Sequence, residues 1–280
     1  YHSKTKYSLV TTDFLIENTH FIRRELTGRQ IGRKALARSL SDVAAMGGTP
    51  TAALVGLAAP RTIRKSLVLE IKDGLAQAAR TFACPVVGGD LSTAPRIVLS
   101  VTIVGTVLKR YLVLRSRARC GDLILCTGTM GASRSGKHYR FTPRLREGAV
   151  LARQGTRAMI DVSDGLVQDL AHLCEDSGVG ACLYEEQIPL SRAVQKQYVR
   201  FSTQIKHALY DGEDYELLFT MSQQKIESLM HTWQRKNIKT KLTVIGRVVA
   251  ANGVHLVRRR GGSIPLSIHG YQHFQKNVDR

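Results

Sequence analysis

The sequence is short of acid, of aromatic residues and of cysteine, and it has no long apolar run. Only 22 Asp and Glu stand against 41 Lys and Arg, a formal net charge of +19. Each carboxylate is therefore a rare group whose position carries information. Aromatics make up 6% and hydrophobic residues 43%, the balance of an Ala/Val/Leu/Gly-rich α/β protein. No apolar run reaches the ~18 residues that a membrane-spanning helix needs, so no membrane association is expected. The cysteines, five in number, are odd in count and form no C-x-x-C pair. They sit in apolar stretches such as Leu123-Ile124-Leu125-Cys126, as reduced core thiols of a cytoplasmic protein do.

Several catalytic signatures are also missing. There is no G-x-x-x-x-G-K-[ST] phosphate loop, and Gly128-Thr129-Met130-Gly131 lacks the dinucleotide spacing. Ser133 and Ser135 have no nucleophile-elbow context. His20, His138, His172 and His207 form no H-E-x-x-H pattern, so hydrolytic and zinc-protease chemistry is unsupported. The positive charge attracts polyanions, yet it is scattered. Its small clusters, Arg115–Arg119 and Arg258–Arg260, come without zinc-finger spacing, RNP-like aromatics or a basic heptad, which argues against nucleic acid.

What is present is alternation of strands and helices. Leu9–Thr12 reads as the end of a strand followed by Asp13. Helical spacing at 35, 36, 40, 43 and 44 is stopped by Gly47-Gly48. A strand over 51–58, a helix over 68–82 and a long strand over 96–108 follow. Tyr111–Arg119 reads as a connector, which places one domain over 1–118 and another over 119–280. Beyond it come a strand from 121, a flexible Gly/Ser-rich loop over 128–136, and a strand–helix unit over 158–178. A strand at 215–220, a helix at 223–233 and strands joined by Asn252-Gly253 complete the chain. The pattern is that of α/β or α+β layers.

The few acids fall in a telling place. Asp13, Asp90 and Asp161 each follow an apolar strand, Asp42 lies near the C-terminal end of a helix, and Asp164 follows Asp161 at a helix start. Carboxylates at strand ends project where ligands bind in layered α/β folds, and their convergence calls for a cation. Mg²⁺, which takes hard oxygen ligands and shares phosphate oxygens, is the natural one. Ordinary turn chemistry and helix capping explain any one of these residues taken singly.

The strings around these residues resemble thiamine-monophosphate kinases. LVTTDFLIENTHF (9–21) is similar to that family's T-D-x-L-V-E-G-x-H-F, and ALARSLSDVAAMGGTP (35–50) to A-L-A-x-N-L-S-D-x-A-A-M-G-A-x-P. VVGGDLSTAP (86–95), MIDVSDGLVQDLAHLCEDSGVGA (159–181), DGEDYELLFT (211–220) and HGYQHF (269–274) continue the likeness in the family's order. The resemblance implies a two-domain α/β fold of the aminoimidazole ribonucleotide synthetase type, dimerising through N-terminal sheets that close a barrel. It implies a Mg²⁺-dependent kinase that converts ATP and thiamine monophosphate to ADP and thiamine diphosphate, with no protein base or nucleophile. Thr11, Thr12, Asp13, Asp42, Asp90, Asp161 and Asp164 match the magnesium positions. Gly89, Asp90, Arg115 and Ser163 match nucleotide contacts, and His20, Glu213 and Tyr271 match substrate contacts. A different phosphate acceptor within the same superfamily, or a non-catalytic nucleic-acid binder, stays open at this point.

The chain departs from the family pattern at several positions. The family's upstream G-D-D segment precedes the point where this sequence begins, so an N-terminal truncation with lowered activity is expected. Asn18-Thr19 replaces a Gly and an apolar residue before His20. Arg38 replaces a small or apolar residue one helical turn before Asp42, where it can pair with that carboxylate and compete with a metal. The loop over 128–144 is shorter than the family's, although Pro143-Arg144 and Gly148 remain.

Overall fold

In the computed structural model, which describes residues 5–268, the chain divides into two units. One comprises 1–114, 138–156 and 227–238; the other comprises 115–137, 157–226 and 239–280.

The first unit is built from β1 (Lys6–Ile16), α1 (Gly28–Ala45), β2 (Thr49–Ala59), α2 (Lys65–Thr81), β3 (Val86–Thr93) and β4 (Val98–Leu108). Its strands form one sheet in the order β1-β4-β2-β3, with only the β2–β3 pair parallel. Period-two alternation gives the sheet two faces. Leu9, Leu15, Val55, Leu57, Leu99, Val101 and Ile103 are buried on one, while Val10, Phe14 and Leu54 remain exposed on the other. The buried face joins a core with Ile31, Leu36, Leu40 and Val43 of α1.

A capping box starts α1: Gln30 N donates to the Thr27 hydroxyl, and Thr27 N donates to Gln30 Oε1. Gly47, with φ of 67°, closes it in the left-handed conformation. Gly32 and Gly74 let α1 and α2 meet backbone to backbone. A Cβ at Gly32 would lie 2.1 Å from Ile71 O, and one at Gly74 would lie 2.1 Å from Arg29 O.

The remaining elements in chain order are β5 (Leu123–Thr127), α3 (Leu145–Arg153), β6 (Ala158–Asp161), α4 (Leu166–Ser177), β7 (Gly180–Tyr184), α5 (Phe201–Tyr210), β8 (Leu217–Met221), α6 (Ile226–Arg235), β9 (Leu242–Val249), β10 (Val254–Val257) and β11 (Ser263–Pro265). The second unit holds a seven-stranded mixed sheet ordered β11-β10-β7-β9-β5-β8-β6. Here β7 lies between the two strands that Asn252-Gly253 joins, parallel to β10 and antiparallel to β9. Every residue of β8 is buried, which is why its sequence reads as one apolar run rather than an alternation. Leu166, Val167, Leu170 and Leu173 of α4 pack into the same core as Ile124, Cys126, Leu218 and Ile245. Among the described residues no helix is long and apolar enough to cross a membrane.

Three local expectations need correction. Strand β1 continues past Asp13 to Ile16, and β3 continues past Asp90 to Thr93, so both aspartates stand inside strands rather than at their ends. The loop over 128–136 is not free: Met130, Gly131, Ala132 and Ser133 are buried, and carboxylates distant in sequence hold its backbone.

Candidate active site

In the first unit, Thr11 and Asp13 project from β1 on the side where α1 packs, two residues apart on one face of the strand. The Thr11 hydroxyl donates to Asp42 Oδ2 at 2.5 Å. The Arg38 guanidinium donates to Asp13 Oδ1 at 3.4 Å. Arg38 thus engages the strand carboxylate. Thr12 lies on the opposite face of β1, where its hydroxyl accepts from Thr102 Oγ1 at 3.0 Å.

Gly89 and Asp90 stand on β3, at the far edge of the same sheet. The register runs Asp13–Val101–Val55–Gly89, three strand spacings or about 14 Å. Within this unit the sheet therefore keeps Asp90 away from Asp13 and Asp42. Gly89 approaches its neighbour closely, since a Cβ there would meet Val55 O at 1.9 Å.

His20 is held from two directions. Ile16 N donates to its Nδ1 at 3.0 Å, so that nitrogen is the unprotonated one and Nε2 carries the hydrogen. Fully buried Lys34 donates to His20 O at 2.7 Å and lies 2.9 Å from His138 Nδ1. Lys34 and His138 carried no sequence signal, because a buried lysine in an apolar helix face reads as a surface residue.

In the second unit, Asp161 ends β6 and the turn through Ser163 and Asp164 leads into α4. A residue the sequence reading passed over, Asp169, organises that turn. Its Oδ2 accepts from Ser163 N at 2.9 Å, Asp164 N at 3.0 Å and Gly165 N at 3.2 Å. Gly165 N is a donor that the helix start leaves without an intrahelical partner, and the other two lie in the turn that precedes it. Burial pushes the Asp169 carboxyl well above its ordinary pKa, and the charges of Asp161 and Asp164 push it further; the backbone donors partly offset this. Three carboxylates thus share one turn.

The same turn receives the segment carrying Glu213. Glu213 N donates to Ser163 O at 2.7 Å, and Tyr215 N donates to Val162 O at 2.8 Å. Glu213 and Tyr215 hold φ of 64° and 51°, a region that costs energy for residues with a Cβ. What holds them is a network on the residues between and around them. Asp214 Oδ2 accepts from Gly131 N at 2.9 Å, and Asp211 Oδ2 accepts from Ala132 N at 2.9 Å. Glu216 Oε2 accepts from the Thr127 hydroxyl at 2.7 Å. Lys137 Nζ lies 3.1 Å from Asp214 and 3.2 Å from Glu216, and also donates to Thr129 O. Burial pushes Asp214 up to about 6 although Lys137 opposes it. Burial pulls Lys137 down, but the two carboxylates hold it above its ordinary value.

Arg115 stands elsewhere in this unit. Its guanidinium pairs with Asp176, and its carbonyl accepts from Ser177 Oγ at 3.0 Å. That is the C-terminal end of α4, about 18 Å along a 12-residue helix from the Ser163 turn. Tyr271 lies outside the described residues.

The donor chemistry fits magnesium. The candidate groups are carboxylates and hydroxyls, the hard oxygens that ion prefers, and the Asp161–Asp164–Asp169 turn concentrates negative charge that a cation would offset. Among the described residues of either unit, no three His, Cys, Asp or Glu side chains are already gathered as a metal centre.

A small sheet with carboxylates on its strands, followed by a mixed α/β unit with an acidic strand–helix turn, agrees with two family models. AIR synthase related protein, N-terminal domain, matches residues 2–107, and AIR synthase related protein, C-terminal domain, matches residues 102–259. The chain is an AIR synthase related protein. Within that class it is 33% identical over 291 residues to a thiamine-monophosphate kinase of Aquifex aeolicus, covering 96% of this chain and 89% of the relative. It is 36% identical over 248 residues to one of Rhodopirellula baltica, covering 87% and 76%. The solved structure of AaThiL complexed with AMPPCP and TMP overlays with a TM-score of 0.84 at 33% identity, over 96% of this chain and 88% of that one. The chain belongs to the thiamine-monophosphate kinase family. The E. coli hydrogenase maturation protein HypE shares the fold at 19% identity and a TM-score of 0.80, over 97% of this chain and 88% of that one.

Proposed function

We propose that this chain transfers the γ-phosphoryl group of ATP to thiamine monophosphate, giving ADP and thiamine diphosphate. The observation that carries this reading is the likeness to kinases of that name, joined to the 2.7 Å bond between Glu213 N and Ser163 O. That bond sets the candidate substrate contact beside the candidate nucleotide contact. An oxygen of the thiamine phosphate forms the new bond to the γ-phosphorus. The bond to the β,γ-bridging oxygen breaks, and its electron pair leaves with ADP. The attacking oxygen is already anionic, so positioning and charge neutralisation suffice.

Glu213 complements the cationic thiazolium, and His20 and Tyr271 complete the substrate contacts. Ser163, Gly89, Asp90 and Arg115 serve the nucleotide. Magnesium held by Asp42, Asp90, Asp161 and Asp164 with Thr11 and Thr12 would neutralise phosphate charge, while Asp13, the remaining expected ligand, is paired with Arg38. Domains over 1–118 and 119–280 and a cytoplasmic setting, in keeping with five free cysteines, belong to the same reading. The expected result is thiamine diphosphate formation by the wild-type chain, and a KM for thiamine monophosphate about tenfold higher in Glu213→Gln with the KM for ATP unchanged. No product from folded wild-type protein would sink the assignment.

The working form in this reading is a homodimer joined through the N-terminal sheets. The face opposite α1 leaves Val10 70% exposed and Phe14 54% exposed, and edge strand β3 leaves Leu91 75% exposed. Exposed apolar surface on an open sheet seeks a partner, and a second copy of this chain is the partner in this reading. Phe14→Asp with Val10→Asp should turn a dimer in sedimentation equilibrium into a monomer, whereas a wild-type monomer would refute the dimer.

A further inference from the structure

Arg38 is placed by the structure directly against a candidate metal ligand. It stands on α1 one helical turn before Asp42, and its Nη2 reaches Asp13 Oδ1 at 3.4 Å. The pair is withdrawn from solvent, with side-chain exposures of 12% for Arg38 and 24% for Asp13, so salt screens it less than a surface pair. A guanidinium stays charged at every working pH, so this neutralisation cannot be removed by titration. Asp42, meanwhile, accepts from the Thr11 hydroxyl.

Resting on the kinase reading above, we propose that Arg38 is a tethered cation that holds Asp13 in place of a divalent ion. A magnesium ion entering at Asp13 must shed tightly held water and also displace a guanidinium already bonded to the carboxylate. The chain therefore loads divalent ions through its other acidic groups, and the Arg38 charge supplies at Asp13 what an ion would otherwise supply. Arg38 is a positioning residue in this account, because it acts through Asp13.

The test is Mn²⁺ binding to the full chain without nucleotide, followed by the electron paramagnetic resonance of free Mn²⁺. Four proteins are compared: wild type, Asp13→Asn, Arg38→Met and the double variant. Asp13→Asn should leave the wild-type isotherm unchanged, because Asp13 is not a ligand while Arg38 holds it. Arg38→Met should add a site, or tighten binding about tenfold, and the gain should vanish in the double variant. Arg38→Lys should lie between wild type and Arg38→Met, because a lysine ammonium keeps the charge but is more strongly hydrated and competes less well with an ion for the carboxylate. Loss of a Mn²⁺ site in Asp13→Asn would overturn the proposal, even if Arg38→Met failed to fold. So would an Arg38→Met isotherm identical to wild type, or a gain that survives Asp13→Asn. None of these readings requires turnover, so a failed phosphoryl-transfer assay and a failed tethered-cation test are separate results.

Discussion

Lys137→Met should lower the unfolding free energy by about 3–5 kcal/mol, the scale for removing one partner of a buried ion pair. Lys137 is the cation between Asp214, which is 0% exposed, and Glu216, which is 1% exposed. Methionine fills similar space but leaves two buried carboxylates facing each other. The pH dependence follows from Asp214. Its folded pKa of about 6 lies above the ordinary 3.8, so between these values the folded state keeps a proton that the unfolded chain has lost. Its contribution to stability therefore falls as pH rises from about 4 to 6, and it is regained on acidification. In Lys137→Met that carboxyl has lost its main opposing charge, so the deficit against wild type should narrow as pH drops below 6. Urea melts at pH 5 and pH 8 measure both effects. A loss below about 1 kcal/mol, independent of pH, would mean that water reaches the pair.

That network marks the boundary of what sequence could reveal. The Gly/Ser-rich stretch over 128–136 reads as flexible because its own residues offer no burial. The carboxylates that pin it, Asp211, Asp214 and Glu216, lie about 80 positions later in the chain, and nothing local announces the pairing. Gly128 shows the same dependence: with φ of 59°, a Cβ there would stand 2.1 Å from Glu216 Oε1. By contrast, α1 was legible from its apolar spacing and terminal glycines, and α4 from Leu166, Leu170 and Leu173 ending at Gly178. Both are amphipathic elements whose period survives in the residues themselves. Strand β3 was read only as far as Asp90, because all of its residues are exposed and no alternation marks its length. The positions of Asp42 and Asp161 were legible for the same reason that their elements were. Asp169 was not, since a buried acid inside an amphipathic helix looks like part of its polar face until the turn it caps is seen.

Asp164→Asn should lower kcat for thiamine diphosphate formation by about 10²–10³-fold, the scale for losing one preorganised electrostatic contact, while leaving the fold intact or firmer. The two effects have opposite signs for one reason. Asp161, Asp164 and Asp169 share a single turn, and the charges of the first two already push the third upward. Making Asp164 neutral relieves that repulsion in the free protein, so the thermal midpoint without divalent ions should hold or rise. The backbone bond from residue 164 to Asp169 Oδ2 is retained, because it uses the main-chain N–H. On the proposed reading Asp164 is a magnesium ligand, so stabilisation by Mg²⁺ and ATP should shrink. Such opposition between activity and stability is expected where like charges are gathered for function. Steady-state kinetics paired with melts in the presence and absence of Mg²⁺ and ATP give both numbers. An Asp164→Asn protein with wild-type kcat would remove Asp164 from the site. One that merely unfolds would show instead that the turn depends on that carboxylate for structure.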